Sequence, residues 1–358
     1  MTQKRRYSVG AVTLLLVLLL LSRFGAELFK LYAYADLLLS GGRMLIYSDV
    51  HTIDFHRSLK GEGPSVPENA DVLNPNGTRI EYNGHIYELN KDLTTVLVMG
   101  VDRRSIQETT YAGTGGQADV VLLVALDTST GESTVLNISR ETYAQVQVFS
   151  TDGAYVDTRF EQLALAYGYG DGREKSCENT VRSVSYLLYM LPIKSYLSMD
   201  METLIAANDA LGGVKLKSLI DIEMPDGSSV KAGDEIELHG QNAEWYIRTR
   251  GRGLQSNERR MERQQQYITE FTKKAIARSK TDLSYPITLF STLSPSIVTN
   301  LTIPDVTFLS SCFLKNGGSF SFRSIEGTFG LLNGSAVYYL DETDLFEAVL
   351  QVFYRQVE

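Results

Sequence analysis

Apolar positions follow three different rhythms along this chain, and each rhythm predicts a different kind of element. The first is an unbroken apolar run over residues 7–22, dominated by Leu14 to Leu21 and preceded by Lys4, Arg5 and Arg6. That order is the pattern of an export signal or a single membrane span. With Arg23 snorkelling and the apolar residues up to Leu28 included, the run reaches the roughly 20 residues that a span needs. No small-x-small cleavage site closes it, so the reading is an uncleaved anchor at 7–28, a basic cytoplasmic tail at 1–6, and all that follows on the outer side. The second rhythm is period two. TRIEY and HIYEL flank Asn83-Gly84, which predicts a hairpin at 78–89 inside a juxtamembrane connector of residues 29–92.

From residue 93 short continuous apolar runs alternate with a third rhythm of helical spacing. TTVLVMG, DVVLLVALD and STVLNIS read as strands, the first two buried on both faces. Helical spacing appears at Phe160, Leu163, Ala164 and Tyr167, over 180–189, over 201–211 before Gly212-Gly213, and over 342–354. A further helix starts near Ser256, with Met261, Ile268, Phe271 and Ala275 as its apolar face. The order implies an α/β fold over 93–358, a central sheet between helices, with the anchor helix in front of it.

Composition narrows the function. The chain has 358 residues, 43% of them hydrophobic, enough for a sizeable core, and a net charge of -9 that argues against a nucleic-acid partner. Cys177 and Cys312 are too few for a disulfide scaffold, and the four histidines form no H-x-x-x-H pair. Against this acidic background, residues 245–266 hold Arg248, Arg250, Arg252, Arg259, Arg260 and Arg263. Arg260, Arg263, Gln264 and Tyr267 lie at helical spacing opposite the apolar face, near a helix N-terminus that itself favours an anion. Arginine forks suit phosphate oxygens. The competing reading is a solvated face whose arginines pair with Glu258 and Glu262.

Three polar residues fall at strand ends, where ligands of such sheets sit. Asp102 follows the first buried strand, Asp119 opens the second, and Arg140 follows the third. Two carboxylates and an arginine around one pocket suit a phosphate bound with a hard cation such as Mg²⁺. The plainer alternative is that Asp102 is a turn residue and Asp119 a strand-start residue.

The ordered set of GVD, DVVLLVALD, SRETY, AYGYG, METLIAANDALGGV, HGQNAEWYIRTR and RMERQQQ resembles the LytR-CpsA-Psr family over residues 94–267, with the order and near the spacing of that family. The resemblance implies a mixed sheet between helices, an apolar tunnel for a polyprenyl tail, and a one-pass N-terminal anchor in the cell membrane with the domain outside. It implies a phosphotransferase that moves a glycan 1-phosphate from a polyprenyl-pyrophosphate carrier to a peptidoglycan hydroxyl. Asp102 and Asp119 match the family's acidic pair, which holds Mg²⁺ (Mn²⁺ being the alternative) and is tied to activating the acceptor. Arg140, Arg248, Arg250 and Arg260 match its pyrophosphate-binding arginines, and Arg263 and Gln264 its Arg-Gln pair. Two positions depart from the pattern: Gln117 stands where the family has Arg, and Asn257 where it has Asp. The alternatives are a non-catalytic binder of polyprenyl-linked glycans and a lipid pyrophosphatase.

Overall fold

The structure is a computed structural model that describes residues 53, 63–103, 111–249, 256–282, 285–313, 316–318 and 320–357. Strands β1 (Ala70–Val72), β2 (Arg79–Tyr82) and β3 (His85–Leu89) form an antiparallel meander. Asn83 and Gly84 take φ of 53° and 77°, the left-handed backbone that a two-residue hairpin turn requires. This hairpin, expected inside a connector, is built into the domain: Ile80, Tyr82 and Leu89 are buried in one core with residues of the C-terminal helix.

Next come β4 (Leu93–Val101), β5 (Ala118–Asp127), β6 (Ser133–Ile138), and a hairpin of β7 (Tyr143–Phe149) and β8 (Tyr155–Gln162). Helices α1 (Ala164–Gly168) and α2 (Glu174–Leu187) lead into β9 (Ser195–Met199) and α3 (Met201–Ala210). Short strands β10 (Val214–Lys217), β11 (Ile222–Glu223), β12 (Ser229–Val230) and β13 (Glu235–Leu238) nest as two antiparallel pairs, β10 with β13 and β11 with β12. Then follow α4 (Gly240–Arg248), α5 (Ser256–Thr281), α6 (Tyr285–Leu293), β14 (Ile297–Thr299) and α7 (Ile303–Phe313). The chain ends with β15 (Ser321–Ser324), the hairpin β16 (Gly327–Leu332) and β17 (Ser335–Leu340), α8 (Glu342–Phe353), and β18 (Tyr354–Gln356), which pairs with β3.

The central sheet has the order β14-β9-β4-β5-β6-β15 and is mixed, with β9 parallel to β4 and β15 parallel to β6. Both of its faces are covered, so β4 and β5 are buried almost end to end and carry no polar face. Val96, Val98, Val120 and Leu122 face α3 to α7, whereas Leu97, Met99, Val121 and Leu123 face α1, α2 and α8. The mixed sheet between helices is the fold the pattern predicts. The expected span at 7–28 lies outside the described residues, and among the described residues no helix is long and apolar enough to cross a membrane.

Three elements differ from expectation. Phe160 belongs to β8, so the helix ending in AYGYG keeps only residues 164–168. Helix α2 starts at Glu174, ahead of the apolar spacing, because its inner face there is small and polar: Ser176, Asn179 and Thr180 are buried and hydrogen-bonded to backbone carbonyls. In α5, Arg263 and Tyr267 lie on the buried face with Phe271 and Ala275, not on a cationic outer face. A spacing of four aligns all four side chains along one stripe.

Candidate active site

Strand order alone gathers the predicted residues at one end of the sheet. β4 and β5 are antiparallel with Val101 opposite Ala118, so Asp102 and Asp119 stand at the same edge, and the Asp102 N–H donates to the Gln117 carbonyl at 3.1 Å. β6 runs back along β5 with Ile138 opposite Val121, which returns the chain to that edge at Arg140. The turn there is held firmly. Thr142 N–H donates to Ser139, Ala164 N–H to the Arg140 carbonyl, and Tyr338 N–H of β17 to the Glu141 carbonyl.

Two acid–arginine pairs result. Arg140 donates through Nη1 to Asp119 Oδ1 and through Nε to Glu141 Oε1 at 2.9 Å. Arg248, in the last turn of α4 where a cation also suits the helix dipole, lies 3.6 Å from Asp102 Oδ1 and donates to Glu244 Oε1 at 2.9 Å. Burial raises the Asp119 pKa; the Arg140 charge works against this, and the nearby Asp102 charge adds to it, leaving the carboxyl above its ordinary range. Burial disfavours the Arg140 cation, but Asp119 and Glu141 together outweigh that and hold it more firmly protonated. The Asp119 and Arg140 side chains remain 37% and 34% exposed, and Asp102 and Arg248 are 56% and 50% exposed, so both pairs are within reach of a ligand.

Arg263 is placed differently. It is 1% exposed, donates through Nε to the Tyr246 carbonyl at 2.8 Å and through Nη2 to the Thr249 carbonyl, and lies 5.8 Å from the centroid of the Tyr246 ring. The guanidinium therefore ties α5 to the end of α4, gripping the carbonyls of Tyr246 and Thr249 that bracket Arg248. Arg250 and the side chains of Arg260, Gln264 and Asn257 lie outside the described residues.

Sequence reasoning missed three neighbours. Glu141 and Glu244 partner the two site arginines; the second stands four residues before Arg248, a helix spacing that was legible. The third is Arg103. Its stem crosses Gly116, where a Cβ would stand 2.6 Å from Cγ, so glycine is required there both for space and for a φ of 83°. Arg103 Nη1 is buried with no hydrogen-bond partner among the described residues, a cationic donor beside Asp102 that spacing gave no means of finding.

A cavity of about 630 Å³ opens beside the β10–β13 pair and α5, lined by Leu216, Ile236, Gln266 and a rim of Lys215, Lys217 and Glu270. Among the described residues no three His, Cys, Asp or Glu side chains cluster to hold a metal by themselves.

A model described as the LytR_cpsA_psr family matches residues 58–352. The polyisoprenyl-teichoic acid–peptidoglycan teichoic acid transferase TagU of Bacillus subtilis (strain 168) is 27% identical over 71% of this chain and 75% of its own length. The protein of the same name from Oceanobacillus iheyensis is 25% identical over 86% of this chain and 87% of its own. The crystal structure of B. subtilis TagV shares the fold, with a TM-score of 0.54 and 23% identity over 73% of this chain and 95% of that one.

Proposed function

This chain belongs to the LytR_cpsA_psr family, and on that premise we propose that it is a membrane-anchored phosphotransferase acting on the outer side of the membrane. It moves a glycan 1-phosphate from a polyprenyl-pyrophosphate carrier to a hydroxyl of peptidoglycan. Relatives named as teichoic acid transferases support a transferase of the cell envelope. The observation that carries the reading is the convergence of Asp119–Arg140 and Asp102–Arg248 on one accessible edge of the sheet.

Phosphoryl transfer asks the protein chiefly to position charges, and the two arginines can do so. In the free protein each fork rests on a carboxylate. On binding, Arg140 and Arg248 turn to pyrophosphate oxygens, joined by Arg250, while Arg263 holds the end of α4 that presents Arg248. Arg260 and Gln264 complete the pyrophosphate contacts. The acceptor hydroxyl oxygen then attacks the sugar-bearing phosphorus, and a new P–O bond forms. The bond to the polyprenyl phosphate oxygen breaks, polyprenyl phosphate leaves, and the hydroxyl proton passes to a carboxylate. Asp119, whose proton affinity burial raises, is the carboxylate we assign to take it. Asp102 and Asp119, two hard-oxygen side chains at the same end of the sheet, would hold Mg²⁺ or Mn²⁺ there. Such an ion would add charge neutralisation at the reacting phosphate. The anchor is the 7–28 segment, and the polyprenyl tail lies in the apolar layer between the sheet and α3 to α7.

Gln117 and Asn257 favour one second reading, a binder of the same lipid that does not turn it over. One assay separates these two readings and the lipid pyrophosphatase. The full chain, given a labelled polyprenyl-pyrophosphate glycan, teichoic-acid-free sacculi and Mg²⁺, should release polyprenyl phosphate and leave label on the sacculi as a phosphodiester. Donor that binds and stays intact supports the binder; donor cleaved equally well without sacculi supports the pyrophosphatase.

A further inference from the structure

The outer face of the β7–β8 hairpin has a composition that the candidate active site does not explain. Along β7, Ala144, Val146 and Val148 point into the core, so Tyr143, Gln145 and Gln147 point outward. Register places Gln162, Phe160 and Thr158 of β8 directly opposite them. Every one of these six side chains is an aromatic ring, an amide or a hydroxyl, and none is charged. The rings are in series: Tyr143 lies 5.2 Å from Phe160 on one side and 5.2 Å from Tyr339 of β17 on the other, and Phe149 and Tyr155 form a further pair, 6.2 Å apart, at the far end. Phe160 is 48% exposed and Tyr339 39%. Soluble proteins seldom leave such a set of rings uncovered without a partner.

The strip is also continuous with the candidate active site. Tyr143 follows Arg140 by three positions. The β16–β17 hairpin is fixed to the same turn by the Tyr338 N–H to Glu141 carbonyl bond and by the Gln162 amide, which donates to the Ala336 carbonyl. Gly330 leaves room for the Tyr339 ring, which would stand 2.7 Å from a Cβ there, so the ring is laid across its own hairpin and turned toward Tyr143.

From this we propose that the outer face of β7–β8, extended by Tyr339, docks the glycan strand of the acceptor peptidoglycan; the inference rests on the phosphotransferase reading above. A pyranose presents an apolar face of C–H groups and an edge of hydroxyls, and N-acetyl groups add amide donors and acceptors. Rings in series take the first, and amides and hydroxyls between them take the second. No Lys or Arg stands among the rings, and the Arg182 guanidinium that reaches the strip is engaged by the Gln147 amide oxygen, toward the end of β7 away from Arg140; this decides between candidates. A teichoic acid or another polyanion would call for Lys and Arg among the rings, and so would an anionic membrane surface. An N-acetylated sugar backbone needs neither. The seven residues of β7 span about 23 Å, long enough for several sugar rings leading toward the Arg140 turn.

The test uses the full chain in detergent, with teichoic-acid-free sacculi and a soluble β-1,4-linked N-acetylglucosamine tetramer as probes. Phe160→Ala and Tyr339→Ala should each weaken binding to both probes by about 3- to 10-fold, and Phe160→Trp should retain it. Binding of the polyprenyl-pyrophosphate donor should be the same in all three. Unchanged glycan binding in both alanine variants overturns the proposal. So does a loss of binding to phosphatidylglycerol vesicles with glycan binding intact, which assigns the face to the membrane. If Phe160→Ala loses the glycan but the parent never transfers phosphate, the docking face stands and the phosphotransferase reading fails.

Discussion

The two ends of β5 each hold an aspartate against an arginine, and they differ in everything else that reaches the carboxylate. At the far end Asp127 is 8% exposed, and its oxygens accept from the Ser129 and Thr130 N–H groups at 2.9 and 3.0 Å, the Ser129 hydroxyl, Asn90 at 2.7 Å and Arg355. Burial works to raise its pKa, but these donors together hold it well below the usual carboxylate range. At the near end Asp119 receives one side-chain donor among the described residues, Arg140, and burial leaves its pKa raised. Folding has satisfied the first carboxylate and left the second short of partners. The first is a structural knot of the β5–β6 turn; the second is a group poised for a ligand or a cation.

Four predictions break or sharpen that contrast. The largest effect is on turnover: Asp119→Asn should lower phosphate transfer by about 100-fold or more, read as label on sacculi, with the fold preserved. Next is stability. Asp127→Ala strips several donors of their acceptor and should cost about 2–3 kcal/mol in urea unfolding, while the folded fraction keeps its activity. Arg248→Ala should weaken donor binding by about 1.5–3 kcal/mol, with Lys a poor substitute because a point charge lacks the fork. Smaller still is the coupling between the two departures from the family pattern. Asn257→Asp alone should slow transfer, and adding Gln117→Arg should recover it with a coupling of about 0.5–3 kcal/mol; additive effects would mean that the positions do not communicate.

Acidity separates the two ends by sign. The folded pKa of Asp127 is depressed, so its contribution is fully present above the unfolded value of about 3.9 and is lost as pH falls through the folded value. Asp119 is the opposite case. Its folded pKa is raised, so the unfolded chain ionises first and stability declines as pH rises between the two values. With the side chain over a third exposed, solvent screening keeps that decline small. Asp119→Asn should remove it, and urea titrations carried down from about pH 7 to about pH 2, on the parent and on Asp127→Asn, would show how much of the acid limb belongs to Asp127.

Much of this was legible in the sequence. The runs that became β4 and β5 have no polar face, and antiparallel order of β4, β5 and β6 then puts Asp102, Asp119 and Arg140 on one edge without further information. The β7–β8 hairpin was missed although YAQVQVF alternates strictly and Asp152-Gly153 follows; the weight given to helical spacing at Phe160 hid it. Arg263 and Tyr267 were assigned to the wrong face because charge was taken to mean exposure. Nothing local announces that Arg263 finds the Tyr246 and Thr249 carbonyls, or that the Tyr267 hydroxyl finds Asn208, since those partners come from other helices. Asp127 closes the DVVLLVALD run with no local mark of its role, and its arginine arrives from residue 355.

The central claim is that one aspartate of β5 serves the fold and the other serves a ligand, and thermal unfolding of Asp119→Asn and Asp127→Asn, run side by side on the full chain without metal or donor, tests it most directly. The account predicts that Asp119→Asn melts at or slightly above the parent temperature and Asp127→Asn several degrees below it. A fall in Asp119→Asn as deep as that in Asp127→Asn would contradict it.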